Sequence, residues 1–185
     1  MLVIEIIMQN KDLLKLLIYA RGSTMKDNES IPSKTHLQKE MFLLLKETGF
    51  SKVDGYKFVP HYYGSFSREL DSDLIELVIT GKVNDSEGYV LSPEGFREAH
   101  VLWSNLDQTH KIALSRIKER YNRMASESLL DYVYGKYKKY TVRSAMILGN
   151  LYNYFEEFAC ENEITIDDLD SAFNRIRHPV NENRN

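Results

Sequence analysis

Nine lysines and arginines fall between residues 108 and 143, against three acids, in a chain whose formal net charge is −3. Arg116, Arg120 and Arg123 recur at three- and four-residue spacing, which gathers them on one face if the segment is helical. Further on, "YGKYKKY" interleaves Lys136, Lys138 and Lys139 with tyrosine, and Arg143 closes the block. Cations alternating with aromatic rings suit two uses. They can hold a phosphate backbone while rings stack on unpaired bases, or they can meet the carboxylates of a protein. The flanking segments are acidic: residues 61–106 and 144–185 each hold three Lys/Arg against eight Asp/Glu. The block therefore has acidic counterparts within the chain, in a second copy, or in another protein. A structural or protein contact is the expected use, ahead of nucleic acid.

Bond-making chemistry finds less support. His36, His61, His100, His110 and His178 are scattered, and no two share the spacing of paired metal ligands on a helix. Cys160 is the single cysteine, so neither a disulfide framework nor a multi-cysteine metal site can form, and its setting in "FEEFAC" suits a buried thiol. Asp167, Asp168 and Asp170 lack the glycine and distal glutamate of a calcium loop and fit the first turn of a helix. Phosphate-cradling glycines, a nucleophile elbow and a dinucleotide fingerprint are all missing. The expectation is a protein that is not an enzyme, with no catalytic residue, no cofactor and no metal.

A second candidate surface lies in "YGSFSREL" and the residues before it. Tyr62, Tyr63 and Phe66 crowd a turn that Gly64 permits, just ahead of a helix that Ser65 or Ser67 can cap. Phe66 is expected to staple onto that helix. The two tyrosines are candidate anchors of a protein interface.

The elements that carry these residues can be read from periodicity. "KDLLKLLIYAR" is a core-facing helix stopped by Gly22, and a polar loop follows. Ser33 caps a second helix with Leu37, Met41, Leu44 and Thr48 in register. "YKFVPHYY" reads as a short edge strand, because a proline sits inside an aromatic, β-branched run. A third helix carries Leu70, Leu74 and Leu77 on one face, with Glu69, Asp73 and Glu76 opposite. "KVNDSEGYVLSPEGFREA" then gives strand, turn, strand and helix, with Pro93 at the first helical position after Ser92. Beyond Asp107 the pattern is helical. Leu114, Ile117, Tyr121 and Met124 form one stripe, and Ser128 and Asp131 stand at capping-box spacing. Two more helices are expected, one beginning near Thr141 and one capped by Thr165.

That order predicts a mostly helical α+β fold, a winged-helix-like N-terminal unit with a two-stranded wing, continued by a C-terminal helical bundle. The expected divisions are 1–10 as an apolar leader or edge segment, 11–106 as the winged-helix-like domain, 107–176 as the bundle extension, and 177–185 as a flexible tail. With 43% hydrophobic and 28% charged residues, 185 residues are ample for a packed core. The opening "LVIEIIM" is too short to span a membrane and has no signal-peptide pattern, so a cytoplasmic location is the default expectation. Three carboxylates on the outer side of the third helix argue against its lying in a DNA groove.

"LLKLLIYA", "VPHYYGSFSREL", "GYVLSPEG" and "LLDYVYGKYKKYTVRSA" together resemble the SocA/Panacea-type domain and its relatives, over about Leu13 to Ala145. The resemblance implies an antitoxin or adaptor that works through protein contacts, in some cases joined to DNA-binding regulation, and it brings no catalytic residues. The expected function is thus a regulatory or antitoxin-like module with a protein partner, which would be a toxin in the antitoxin case. Broad apolar helix faces add a homodimer to the expected partners. The alternative is a winged-helix transcriptional regulator that binds DNA through the 111–143 block.

Overall fold

A computed structural model describes residues 9–52, 55–61 and 64–140. The apolar start, Tyr62, Tyr63, Arg143, Cys160, the aspartates from Asp167 and the helices expected after Thr141 lie outside the described residues.

The described residues form a mostly helical α+β fold, with α1 (Asn10–Tyr19) and α2 (Lys34–Glu47), then a 3-10 turn over Gly49–Lys52. A hairpin of β1 (Val59–His61) and β2 (Gly64–Phe66) leads into α3 (Arg68–Ile79). A second hairpin, β3 (Val83–Asn84) with β4 (Val90–Leu91), follows α3 in the wing position. The chain continues through α4 (Pro93–Asn105), α5 (Gln108–Tyr121), α6 (Ser126–Lys136) and a 3-10 turn at Lys138–Tyr140.

Local chemistry sets most of these boundaries. The side chains of Ser33, Ser67, Ser92 and Asp107 each accept a hydrogen bond from a first-turn amide of the helix they precede. The expected capping box at Ser128 and Asp131 is not used: α6 begins at Ser126 without a side-chain cap. A start two residues earlier places Ser128 inside the element. Likewise α1 stops at Tyr19 rather than running to Arg21, because Ala20 is already extended.

Two corrections concern strands and loops. Ser65 and Phe66 do not belong to the turn but form β2, pairing Val59 with Phe66 and Pro60 with Ser65. Gly64 has φ +79°, and a Cβ there would meet the Tyr134 ring at 2.5 Å, so the position needs glycine. The loop after α1 is not wholly exposed. Ile31 is fully buried and bridges Tyr89, adding a strand-like rung to the wing. Two carboxamides hold the hairpins in place. Asn28 donates to the Leu91 carbonyl (3.0 Å) and accepts from its amide (2.8 Å), while Gln38 does the same for Ser67 (3.0 and 2.9 Å).

One hydrophobic cluster runs from Leu13 on α1 to Tyr140, crossing the expected division at Leu106. Its axis is α2, whose residues 36–45 are all buried, four polar ones among them: His36, Gln38, Lys39 and Glu40. The Tyr19 ring wedges between Phe96 (5.0 Å) and Trp103 (5.4 Å) of α4, and its hydroxyl meets His100 Nδ1 at 2.8 Å. Among the described residues no helix is long and apolar enough to cross a membrane.

Candidate functional site

The basic block is where sequence chemistry was densest, and the fold divides it. On α5 the inward positions are Leu114, Ile117, Lys118 and Tyr121. Arg116 and Arg120 are exposed on α5, and Arg123, also exposed, lies in the turn that follows it. Lys118 is lost to any partner: it is fully buried, and its ammonium donates to the Ile18 carbonyl at the end of α1.

Lys136 reaches back to Glu47 at the end of α2 (2.8 Å). Around that carboxylate three phenols converge, Tyr121, Tyr132 and Tyr137, each at 3.1 Å. Burial alone would raise the Glu47 pKa, but the hydrogen bonds from Lys136, Tyr132 and Tyr121 outweigh it and hold the carboxyl below its ordinary value. The same arrangement raises the Lys136 pKa, chiefly through its bond to Glu47. Burial, with Glu47 beside it, pushes the Tyr137 phenol up to about 12. Arg120 lies over the rings of Tyr121 (5.3 Å) and Tyr132 (5.4 Å), and Lys139 over Tyr140 (5.0 Å).

The tyrosines of the block are thereby spoken for. Tyr121, Tyr134 and Tyr140 are buried, and the hydroxyls of Tyr132 and Tyr137 point at Glu47. Beside this knot, Glu47, Thr48 and Gly49 face Thr109, Ile112, Arg116 and Arg120 of α5 across a cavity of about 490 Å³. Arg116 makes no hydrogen bond, ion pair or ring contact among the described residues.

Sequence reasoning missed Glu47, because a lone acid at a helix end has no motif.

The acids of α3 are arranged differently from expectation. Asp73 is turned toward the Tyr56 hydroxyl (2.9 Å), and Glu76 pairs with Lys11 of α1 (2.6 Å). They do not meet the basic block. On the outer side of α3, Ile75 and Ile79 stand exposed at 46% and 79%, with Arg68, Glu69 and Glu76 around them. The Phe66 ring lies 4.8 Å from His61 across the β1–β2 hairpin.

The remaining described histidines have structural partners. His36 meets Ser33 (2.9 Å) and the Met124 carbonyl (2.9 Å), and His110 pairs with Asp107 against the Phe50 ring.

A second polar centre, unread in the sequence, lies beneath α2. Glu40 is fully buried with no hydrogen-bond donor to either oxygen, and burial pushes its pKa up to about 8. Lys39 donates to the Ser65 carbonyl (2.6 Å) and burial brings it down to about 8, as burial also does for Lys118. Compared with known proteins, the chain matches no family model, no curated protein and no solved structure.

Proposed function

We propose that this chain is a non-enzymatic regulatory or antitoxin-like module that acts through contacts with other proteins. The observation that carries this reading is the outer side of α3. Ile75 and Ile79 are exposed there beside Glu69 and Glu76, and Arg68 is the only cation on that helix. A duplex would present phosphates to Glu69 and to a Glu76 already paired with Lys11, and water-filled groove edges to those isoleucines, and neither match is favourable. A protein partner would bury both isoleucines, each of which yields on the order of 1 kcal/mol or more when removed from water.

The wing supports the same reading. Its turn carries Asp85 and Glu87, and its β4 side is tied to the loop after α1 through Ile31 and Asn28. The antitoxin element of the proposal comes from the resemblance to SocA/Panacea-type domains.

Two measurements test it. In a gel shift with mixed duplex and single-stranded DNA at low and moderate salt, the protein should leave both unshifted. A salt-sensitive complex that disappears in the Arg116→Glu, Arg123→Glu double variant would move the function to nucleic acid. In capture from the source lysate, a partner retained by the native chain should be lost with Ile79→Asp. Undiminished capture by that variant removes α3 from the interface.

A further inference from the structure

We propose that the cavity between the end of α2 and α5 is a binding site for a small organic oxyanion, a carboxylate or phosphate monoester carried on an apolar body. Its size, about 490 Å³, lies within the range of small-molecule sites, roughly 300–1,000 Å³. Arg116 and Arg120 stand one helical turn apart on its α5 wall, which sets two guanidinium groups within reach of one anion.

The two arginines hold their donors in reserve. Arg116 has no partner among the described residues. The Arg120 guanidinium lies over Tyr121 and Tyr132, and its N–H groups make no hydrogen bond among the described residues. An arginine fixed by ring stacking is already oriented, so less rotamer freedom is lost when an anion binds.

Glu47 does not compete. Although it lines the cavity, one of its oxygens takes Lys136, Tyr132 and Tyr137, and the other takes Tyr121. Its charge is thus compensated without help from Arg116 or Arg120, and no ion pair joins them among the described residues. The negative end of the α2 dipole is nearby, but it is a diffuse field and accepts no hydrogen bond from either guanidinium.

Part of the wall is apolar. Ile112, Ala113 and Ile117 line it, and Ile112 is 41% exposed, a large aliphatic side chain left in water at the mouth. An inorganic anion would use the arginines and waste this strip. A neutral apolar molecule would use the strip and leave the arginines unsatisfied. A ligand with both parts uses the whole cavity. This site is separate from the α3 surface, and its failure would leave the protein-contact reading standing.

The test is a titration of the isotope-labelled full chain, followed by backbone amide shifts, with four probes: benzoate, phenyl phosphate, inorganic phosphate and benzyl alcohol. Benzoate or phenyl phosphate should give saturable shifts at Thr109, Ile112 and Ala113, and whichever of the two binds tighter identifies the anion. Inorganic phosphate should bind roughly tenfold more weakly or worse, and benzyl alcohol should leave these amides unmoved. Arg116→Gln and Arg120→Gln should each weaken the organic anion by roughly tenfold or more, while Arg123→Gln, outside the cavity lining, should not. Three results overturn the proposal: no saturable shift up to roughly 10 mM of either organic anion, equal response to benzyl alcohol, or unchanged binding in Arg116→Gln. The same spectra show whether each variant is folded, so a misfolded one is recognised and replaced by Arg116→Lys, which should bind with intermediate affinity.

Discussion

Glu40 and Glu47 lie two turns apart on the same helix, yet their oxygens meet different company. Glu40 is sealed inside α2, α5 and the loop after α1, with no donor to either oxygen, and its pKa rises to about 8. Glu47 is close to the surface with four donors around it, and its pKa falls. The lysines follow suit. Lys118, within the field of Glu40 but without an ion pair to it, is pushed down by burial, whereas Lys136, bonded to Glu47, is pushed up. Burial charges both glutamates a desolvation cost. What separates them is depth, complete for Glu40 and partial for Glu47, together with the supply of hydrogen-bond donors, which one end of α2 has and the other lacks.

The contrast is most exposed to pH. Glu40 ionises near 4.5 when unfolded and about 8 when folded. The native state therefore binds the extra proton across that window, and stability falls as pH rises from about 4.5 to about 8. Glu40→Gln should abolish the fall and be more stable than the native chain at pH 8, by on the order of 4 kcal/mol in urea unfolding. A native profile that is flat over the window would break the comparison.

Next in size is Lys118. With Lys39, it has a folded pKa of about 8 against 10.5 unfolded, so stability returns as pH climbs between those values. Lys118→Met should remove a share of that recovery and gain on the order of 2 kcal/mol at neutral pH. It should also drive the Glu40 pKa higher, since Lys118 is the charge that favours its ionised form; a carbon-detected carboxyl titration reads this directly.

At the other end the effects are smaller. Glu47 adds stability above its unfolded pKa that is lost as pH falls, so Glu47→Gln should cost about 1 kcal/mol near neutrality and nothing in acid. Lys136→Ala should cost about 0.5 kcal/mol and less in high salt, because that side chain is half exposed.

Much of the fold could be read along the chain because its signals are local. Ser33, Ser67 and Ser92 mark helix starts through bonds to residues three positions away, and Leu70, Leu74 and Leu77 face inward by helical spacing alone. What could not be read was the burial of polar residues on α2. His36, Gln38, Lys39 and Glu40 are covered by α5, α6 and β2, and the covering residues lie as far as ninety positions along the chain, as the bonds of Glu47 to Tyr132 and Tyr137 do. The basic block was visible as composition. Which cations it spends internally depended on where α5 turned Lys118 and where α6 delivered Lys136, and neither is encoded nearby. Of the candidate site, Arg116 and Arg120 were legible, and their acidic neighbour was not.

The carboxamide pairing of Asn28 with Leu91 gives the molecule a chemical clock. Hydrolysis of that side-chain amide, with water adding and ammonia leaving, would set an oxygen against the Leu91 carbonyl oxygen, turning an attraction into a repulsion by exchange of a single group. Gln38 is hidden from water and Asn28 is only partly so. As the protein ages, the β3–β4 hairpin should come loose first, while the hairpin beside Gln38 keeps its place.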